Sequence, residues 1–233
     1  MGLDIYVGPL TRYHTGNWET VVQRYARMNG LKCQIVRPPS DTESQPKASP
    51  EQVLNAVLAW QSGLSGALQH RLEWTEDNNT DYFTEKPAWD CYSAVALLAA
   101  HDEHPGEALP DVAPDDFHID SAYRKSTSND FKTRYSQILF PELWLPGDGH
   151  FVFKAEYITG QELWMGWSTT LLSQLRELNS NTLKGTPQDF HQWKLNGGPK
   201  GAPFEISAKF GMAVLMGLAE HAVMHHLPMK LDY

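Results

Sequence analysis

The sequence predicts an α+β fold, a small and mainly antiparallel sheet packed against five or six helices. Three observations carry it. Leu3, Ile5 and Val7 alternate with Asp4 and Tyr6, and Phe151, Phe153, Ala155 and Tyr157 alternate with Val152, Lys154 and Glu156, as half-buried strands do. Separate segments repeat their apolar residues at three or four positions, with helix start and stop residues at their ends. The last of these is apolar all round from Phe210 to Ala219, the pattern of a helix buried against several elements at once. A chain of 233 residues, 41% of them hydrophobic, can build a substantial core, and one domain over 1–233 is expected.

The first strand, 3–7, ends at Gly8-Pro9, and a polar, aromatic loop follows. Asn17 is a good N-cap for a helix carrying Val21, Val22, Tyr25, Ala26 and Met28, which stops at Asn29-Gly30. Leu31, Cys33 and Ile35 predict a strand over 31–37 that Pro38-Pro39 ends. Ser49-Pro50-Glu51-Gln52 is a capping box with proline at the first helical position, opening a helix through Leu54, Val57, Leu58, Leu64, Leu68 and Leu72. Gly63 and Gly66 inside it predict a kink or a close backbone contact. A second long helix starts after Pro87 and halts at Pro105-Gly106.

Leu143–Leu145, the turn Pro146-Gly147-Asp148-Gly149 and the alternating segment 151–157 predict a hairpin, with ELWMGW after Thr159-Gly160 as the third strand of a meander. Ser168 is placed to cap a helix carrying Leu171, Leu172, Leu175 and Leu178. The final helix covers roughly 206–226, Pro228 ends it, and 229–233 supplies a short terminal strand. If that strand pairs with the first, Asp4 and Asp232 approach each other.

Lys and Arg number 19 against 28 Asp and Glu, a net charge of −9, which disfavours a coat for nucleic acid or anionic membrane. The N-terminus lacks the basic and apolar regions of a signal peptide, and the longest apolar run, 210–219, is about half of what a spanning helix needs. Cys33 and Cys91 have no paired or CxxC spacing, which fits free thiols in a reducing compartment. A cytoplasmic protein with no membrane or nucleic-acid partner is the expectation.

Charge is unevenly spread. Between Glu73 and Asp120 lie thirteen acidic residues and one basic residue, Lys86. Such a single-sign patch accelerates encounter with a cationic partner, and its candidate contacts are Asp77, Asp81, Asp111, Asp115 and Asp116. A solvated surface serving solubility is the alternative. The leading expectation is a non-enzymatic, immunity-like binding protein that engages a basic protein through this face. The basic and aromatic stretch 123–135 reads as a loop or helix face that pairs with the same segment.

No complete catalytic motif is present. GLSGA around Ser65 is not GxSxG, and Asn196–Gly201 is glycine-rich but lacks the phosphate-loop pattern. Asp77, Asn79 and Asp81 match the first ligands of a calcium loop, but Tyr82 and Ala88 stand where glycine and glutamate are required. His221 and His225 share a helix face at zinc-ligand spacing, in the order EHAVMHH rather than HExxH; histidines in a last turn also complement the helix dipole. No cofactor is expected. The alternative is a metal-dependent hydrolase holding a divalent metal with Asp77, Asp81, His101, Asp102, His221 and His225.

A second alternative is a small-molecule or anion-binding domain. The loop after the first strand gathers Arg12, Tyr13, His14 and Trp18, and Asp4 and Tyr6 face away from the first strand's apolar side. Arg12, His14 and Trp18 lining one concave pocket would mark it. The 8 tryptophans could serve a homo-oligomer as readily as a ligand.

The pair His101-Asp102 is similar to the central pair of HD-type metal-dependent phosphohydrolases, whose pattern also needs an upstream histidine and a distant aspartate in a helical bundle; His70 and Asp120 are available, but the hairpins contradict an all-α fold. The opening MGLDIYVGPLTRYHTGNW, the central ELWLP with FVF after it, and the closing LPMKLDY resemble an uncharacterised bacterial family. The resemblance touches both ends and the middle, implies a bacterial origin and one domain, and implies no activity.

Overall fold

A computed structural model describes residues 3–32, 48–114 and 116–232. The α+β prediction holds: one mixed six-stranded sheet and nine α-helices are formed among the described residues. In chain order these are β1 (Asp4–Val7), α1 (Leu10–Thr15), α2 (Val21–Met28), α3 (Pro50–Leu68), β2 (Phe83–Glu85), α4 (Trp89–Glu103), α5 (Ser121–Ser126), α6 (Ser136–Leu139), β3 (Leu143–Leu145), β4 (Phe153–Glu156), β5 (Glu162–Trp167), α7 (Ser168–Asn181), α8 (Pro187–Asn196), α9 (Phe204–His225) and β6 (Met229–Asp232). The five helices expected from periodicity are there; α1, α5, α6 and α8 add four more, three of them too short to show a period.

The sheet order is β2-β1-β6-β3-β5-β4. The C-terminal strand is central, antiparallel to both β1 and β3, and Asp4 stands opposite Asp232 in the β1–β6 register. The hairpin expected across Pro146–Gly149 is corrected. β3 and β4 do not pair; β5 lies between them, parallel to β3 and antiparallel to β4, so the hairpin is the β4–β5 turn. The three-residue β2 is too short to show a period in the sequence.

Alternation gives the sheet two coherent faces. One presents Leu3, Ile5, Val7, Trp144, Met229 and Leu231 to the main core with α4, α7 and α9. The other presents Leu143, Leu145, Met165 and Trp167 to a second cluster that α3 completes with Val57 and Leu64. The main core centres on α9, which packs against α4, α7 and α8. This helix has 22 residues and is long and apolar enough to cross a membrane by length and composition alone; 61% of its most apolar window is buried inside the protein.

Local chemistry explains most boundaries. Ser49 and Gln52 form the expected capping box at α3, with Pro50 at its start. At α2 the cap is Thr20, in a box with Gln23, rather than Asn17, whose side chain donates to the Asn78 carbonyl. Ser168 begins α7 without capping it. The close backbone contact expected at Gly63 and Gly66 is not formed: a side chain at either would meet nothing within 4 Å among the described residues. Leu31 and Lys32 belong to no element, and the rest of the strand expected over 31–37 lies outside the described residues.

Candidate functional site

On the second sheet face the rows of β1 and β6 turn polar. Asp4 and Tyr6 from β1 stand opposite Asp232 and Lys230 from β6. The segment read as a loop after β1 is the short helix α1, and it lays Tyr13 and His14 over this polar patch. Tyr13 Oη donates to Asp232 Oδ1 at 2.6 Å, and His14 Nε2 shares a 2.7 Å hydrogen bond with Tyr157 Oη. Lys230 Nζ donates to the Leu231 carbonyl at 2.8 Å and lies 5.2 Å and 5.8 Å from the Tyr13 and Tyr157 ring centroids. Tyr13, His14, Tyr157, Lys230 and Asp232, together with Glu142 from the approach to β3, line a cleft of about 600 Å³, and Asp4 and Tyr6 are not part of its lining.

The cleft wall is held from behind. The Glu76 carboxylate accepts from the Leu10 and Thr11 amides at 2.9 Å and 2.8 Å, the first free N–H groups of α1, and from Trp74 Nε1 at 2.5 Å. Arg12, one residue before Tyr13, donates to the carbonyls of Asn17, Asn79 and Thr80, with its guanidinium over the Tyr82 ring. Tyr6 is fully buried, donates to the Pro9 carbonyl at 3.0 Å and stacks on Tyr82. Trp18 stacks on Tyr13 and donates to the Tyr13 carbonyl. Thus His14 and Tyr13 face the cleft, whereas Arg12 and Trp18 brace it and are not part of its lining among the described residues.

Burial sets the electrostatics. It draws the His14 imidazole from its ordinary 6.5 to about 4, with Lys230 adding repulsion and Asp232 partly opposing. His14 is therefore neutral at pH 7. Burial also raises the Tyr13 and Tyr157 phenols, and the Asp232 carboxylate beside Tyr13 raises it further. The Asp4 carboxyl is raised by burial, against the pull of its ion pair with Lys86, and Asp232 across the strand adds to the rise. Lys230 is lowered by burial, with Asp232 and Glu142 opposing.

The acidic segment spends many of its carboxylates on partners within the chain. Glu73, Glu85, Asp102 and Glu107 pair with Arg71, Lys194, Arg134 and Lys125, so the stretch 123–135 does meet it. Asp77 accepts from the Asn79 and Thr80 amides, and Asp116 accepts from the His118 amide. Asp81 and Asp111 are exposed with no side-chain partner among the described residues, and Asp115 lies outside them. Buried Asp90 accepts from the Gly201 amide at 2.7 Å, so a carboxylate already occupies the glycine-rich loop.

The residues of the metal alternative scatter. His221 and His225 stack on Phe83, with ring centroids 3.9 Å and 4.8 Å away, while His101 meets Asp120 and Asp102 meets Arg134, Tyr135 and Asn181. No group of three or more His, Cys, Asp or Glu side chains that could hold a metal ion forms among the described residues. Cys91 is a buried free thiol, pushed up to about 11 by burial, and carries no nucleophile's environment.

Sequence reasoning missed Lys230, Tyr157, Glu142 and Glu76. Lys230 had a signal in MKLDY, where a lysine and an aspartate share one face of a strand. Tyr157 and Glu76 had none, because their roles come from elements distant in the chain. No family model, curated protein or solved structure matches this chain.

Proposed function

We propose that this chain binds a small, uncharged, hydroxylated molecule of carbohydrate-like chemistry in the cleft between α1, β6 and the β4–β5 turn. The observation that carries the reading is the convergence of Tyr13, His14, Tyr157, Lys230 and Asp232 from separate elements on one cleft, each already fixed by a hydrogen bond. Carboxylates at Asp232, Glu142 and Glu162 suit hydroxyl donors, and aromatic walls suit the C–H faces of a polyol. Asp232, Glu142 and Glu162, the last ion-paired with Lys154, outweigh Lys230 in the lining and disfavour an anion, and Arg12, the residue that would grip one, is committed to backbone carbonyls.

Saturation-transfer NMR against a panel of neutral aldoses and polyols, with their carboxylated counterparts as controls, tests this. Saturable binding of neutral members, weakened about tenfold or more by Asp232→Asn in a chain of unchanged circular dichroism, is expected. Preference for the anions, or binding indifferent to Asp232, would count against it. The acidic-face, immunity-like reading draws on fewer groups, chiefly the exposed Asp81 and Asp111.

A further inference from the structure

Lys230 has a chemistry that binding alone leaves unused. Lys86, Lys125, Lys154, Lys194 and Lys209 each make an ion pair with a carboxylate. Lys230 is half-buried and makes no ion pair among the described residues; its Nζ bonds to a backbone carbonyl between two tyrosine rings and opens on the cleft. A lysine on a central strand is held by backbone pairing on both sides, so its backbone is fixed while its amine reaches a solvent-connected cavity. The groups facing it are Tyr13 and His14 from α1, Glu142 before β3, Tyr157 after β4, Glu162 from β5 and Asp232 from β6.

We propose that Lys230 captures an open-chain hydroxyaldehyde or hydroxyketone in this cleft as an imine. The inference rests on the cleft reading and names its ligand class more narrowly. An amine must be neutral to attack, and burial lowers the proton affinity of this one. Its lone pair forms the C–N bond to the carbonyl carbon, the carbonyl π pair moves to oxygen, and the nitrogen's proton passes to that oxygen. The carbinolamine then loses water as the C=N bond forms, so amine and carbonyl become imine and water with no change of oxidation state. Neutral His14, hydrogen-bonded to Tyr157 Oη, supplies an imidazole and a phenol beside the amine through which a proton can pass. The surrounding carboxylates accept the ligand's hydroxyls and disfavour acidic carbonyl compounds such as keto acids.

The test uses the full chain, glycolaldehyde as probe and cyanoborohydride to fix any imine, with peptide mapping by mass spectrometry at neutral pH. Early labelling of Lys230 about tenfold ahead of the exposed, unpaired Lys200 is expected. Lys230→Arg, which keeps the positive charge, should lose the fast adduct and retain its circular dichroism. Sorbitol, a polyol without a carbonyl, reads the cleft separately by saturation-transfer NMR. Sorbitol binding with labelling spread evenly over exposed lysines overturns the imine and leaves the cleft reading standing. Failure of both overturns both.

Discussion

His14 shows what burial does to a single side chain. Its imidazole bonds to Tyr157, sits against Lys230 and is held down at about 4, whereas in an unfolded chain it titrates near 6.5. Above 6.5 both states are neutral and the site contributes its full stability. As pH falls from 6.5 towards 4 the unfolded chain takes up the proton that the folded chain refuses, so stability is lost across that window, on the order of 2 kcal/mol. Urea unfolding at pH 7.5 and pH 5 is the check: His14→Gln should flatten the fall, and an unchanged difference between wild type and variant would show that His14 is not the group responsible. The same neutral imidazole suits a binding cleft, because it can donate or accept without bringing a charge. Arg12 carries the opposite lesson: a residue type suited to gripping anions is used here to fasten α1 to the segment 79–80.

At the level of elements, the crossing of α4 and α9 sets how close the two central helices come. A Cβ at Gly211 would collide with the Cys91 carbonyl on α4, so the glycine permits a backbone approach that no other residue allows. Gly217, less than two turns on in α9, would meet nothing within 4 Å. The two alanine variants should therefore diverge. Gly217→Ala should stabilise by about 0.5–1 kcal/mol through helix propensity, while Gly211→Ala should destabilise by about 2 kcal/mol or more through overpacking. Thermal and urea denaturation of the pair measure it, and equal shifts of the same sign would refute the close approach. Strand pairing was the element-scale property that sequence misread. Alternation says which residues share a face, and Pro146–Gly149 says where the chain turns, but neither says which strand lies alongside. Here Gly149 abuts Trp167, and the Gly147 carbonyl accepts from the Thr169 amide, so that turn packs on the β5–α7 junction and β5 takes the place beside β3.

Across the whole molecule, β6 joins two half-sheets, β2-β1 on one side and β3-β5-β4 on the other. Removing 229–233 would separate them, expose the main-core residues Leu3, Ile5 and Trp144, and delete Lys230 and Asp232 from the cleft. A chain truncated after Pro228 should lose its cooperative urea transition, as read by circular dichroism and tryptophan fluorescence together; a native-like transition would mean that the half-sheets hold without it. The same long-range logic disperses the acidic segment. Lys125, Arg134 and Lys194 are brought to it by the fold, so a block of charge in the sequence becomes a set of surface ion pairs plus a few exposed carboxylates.

The sequence by itself determined what depends on neighbours within a few residues: the capping box at Ser49–Gln52, the stop at Asn29-Gly30, the apolar length of α9, the two-faced strands and the mixed class that follows from them. It also identified Tyr13 and His14 as side chains worth watching, and it brought Asp4 near Asp232 on the condition that the terminal strand pairs with the first, as it does. Tertiary structure alone decided that β5 divides β3 from β4, that α1 forms with Glu76 at its start, that the histidines of α9 lie on Phe83, and that Lys230, Tyr157 and Glu142 complete a cleft with α1. The physical reason is range. Helix periodicity, caps and turns are local free energies written into consecutive residues, whereas strand order and site assembly come from burial shared among segments far apart in the chain, which no local pattern records.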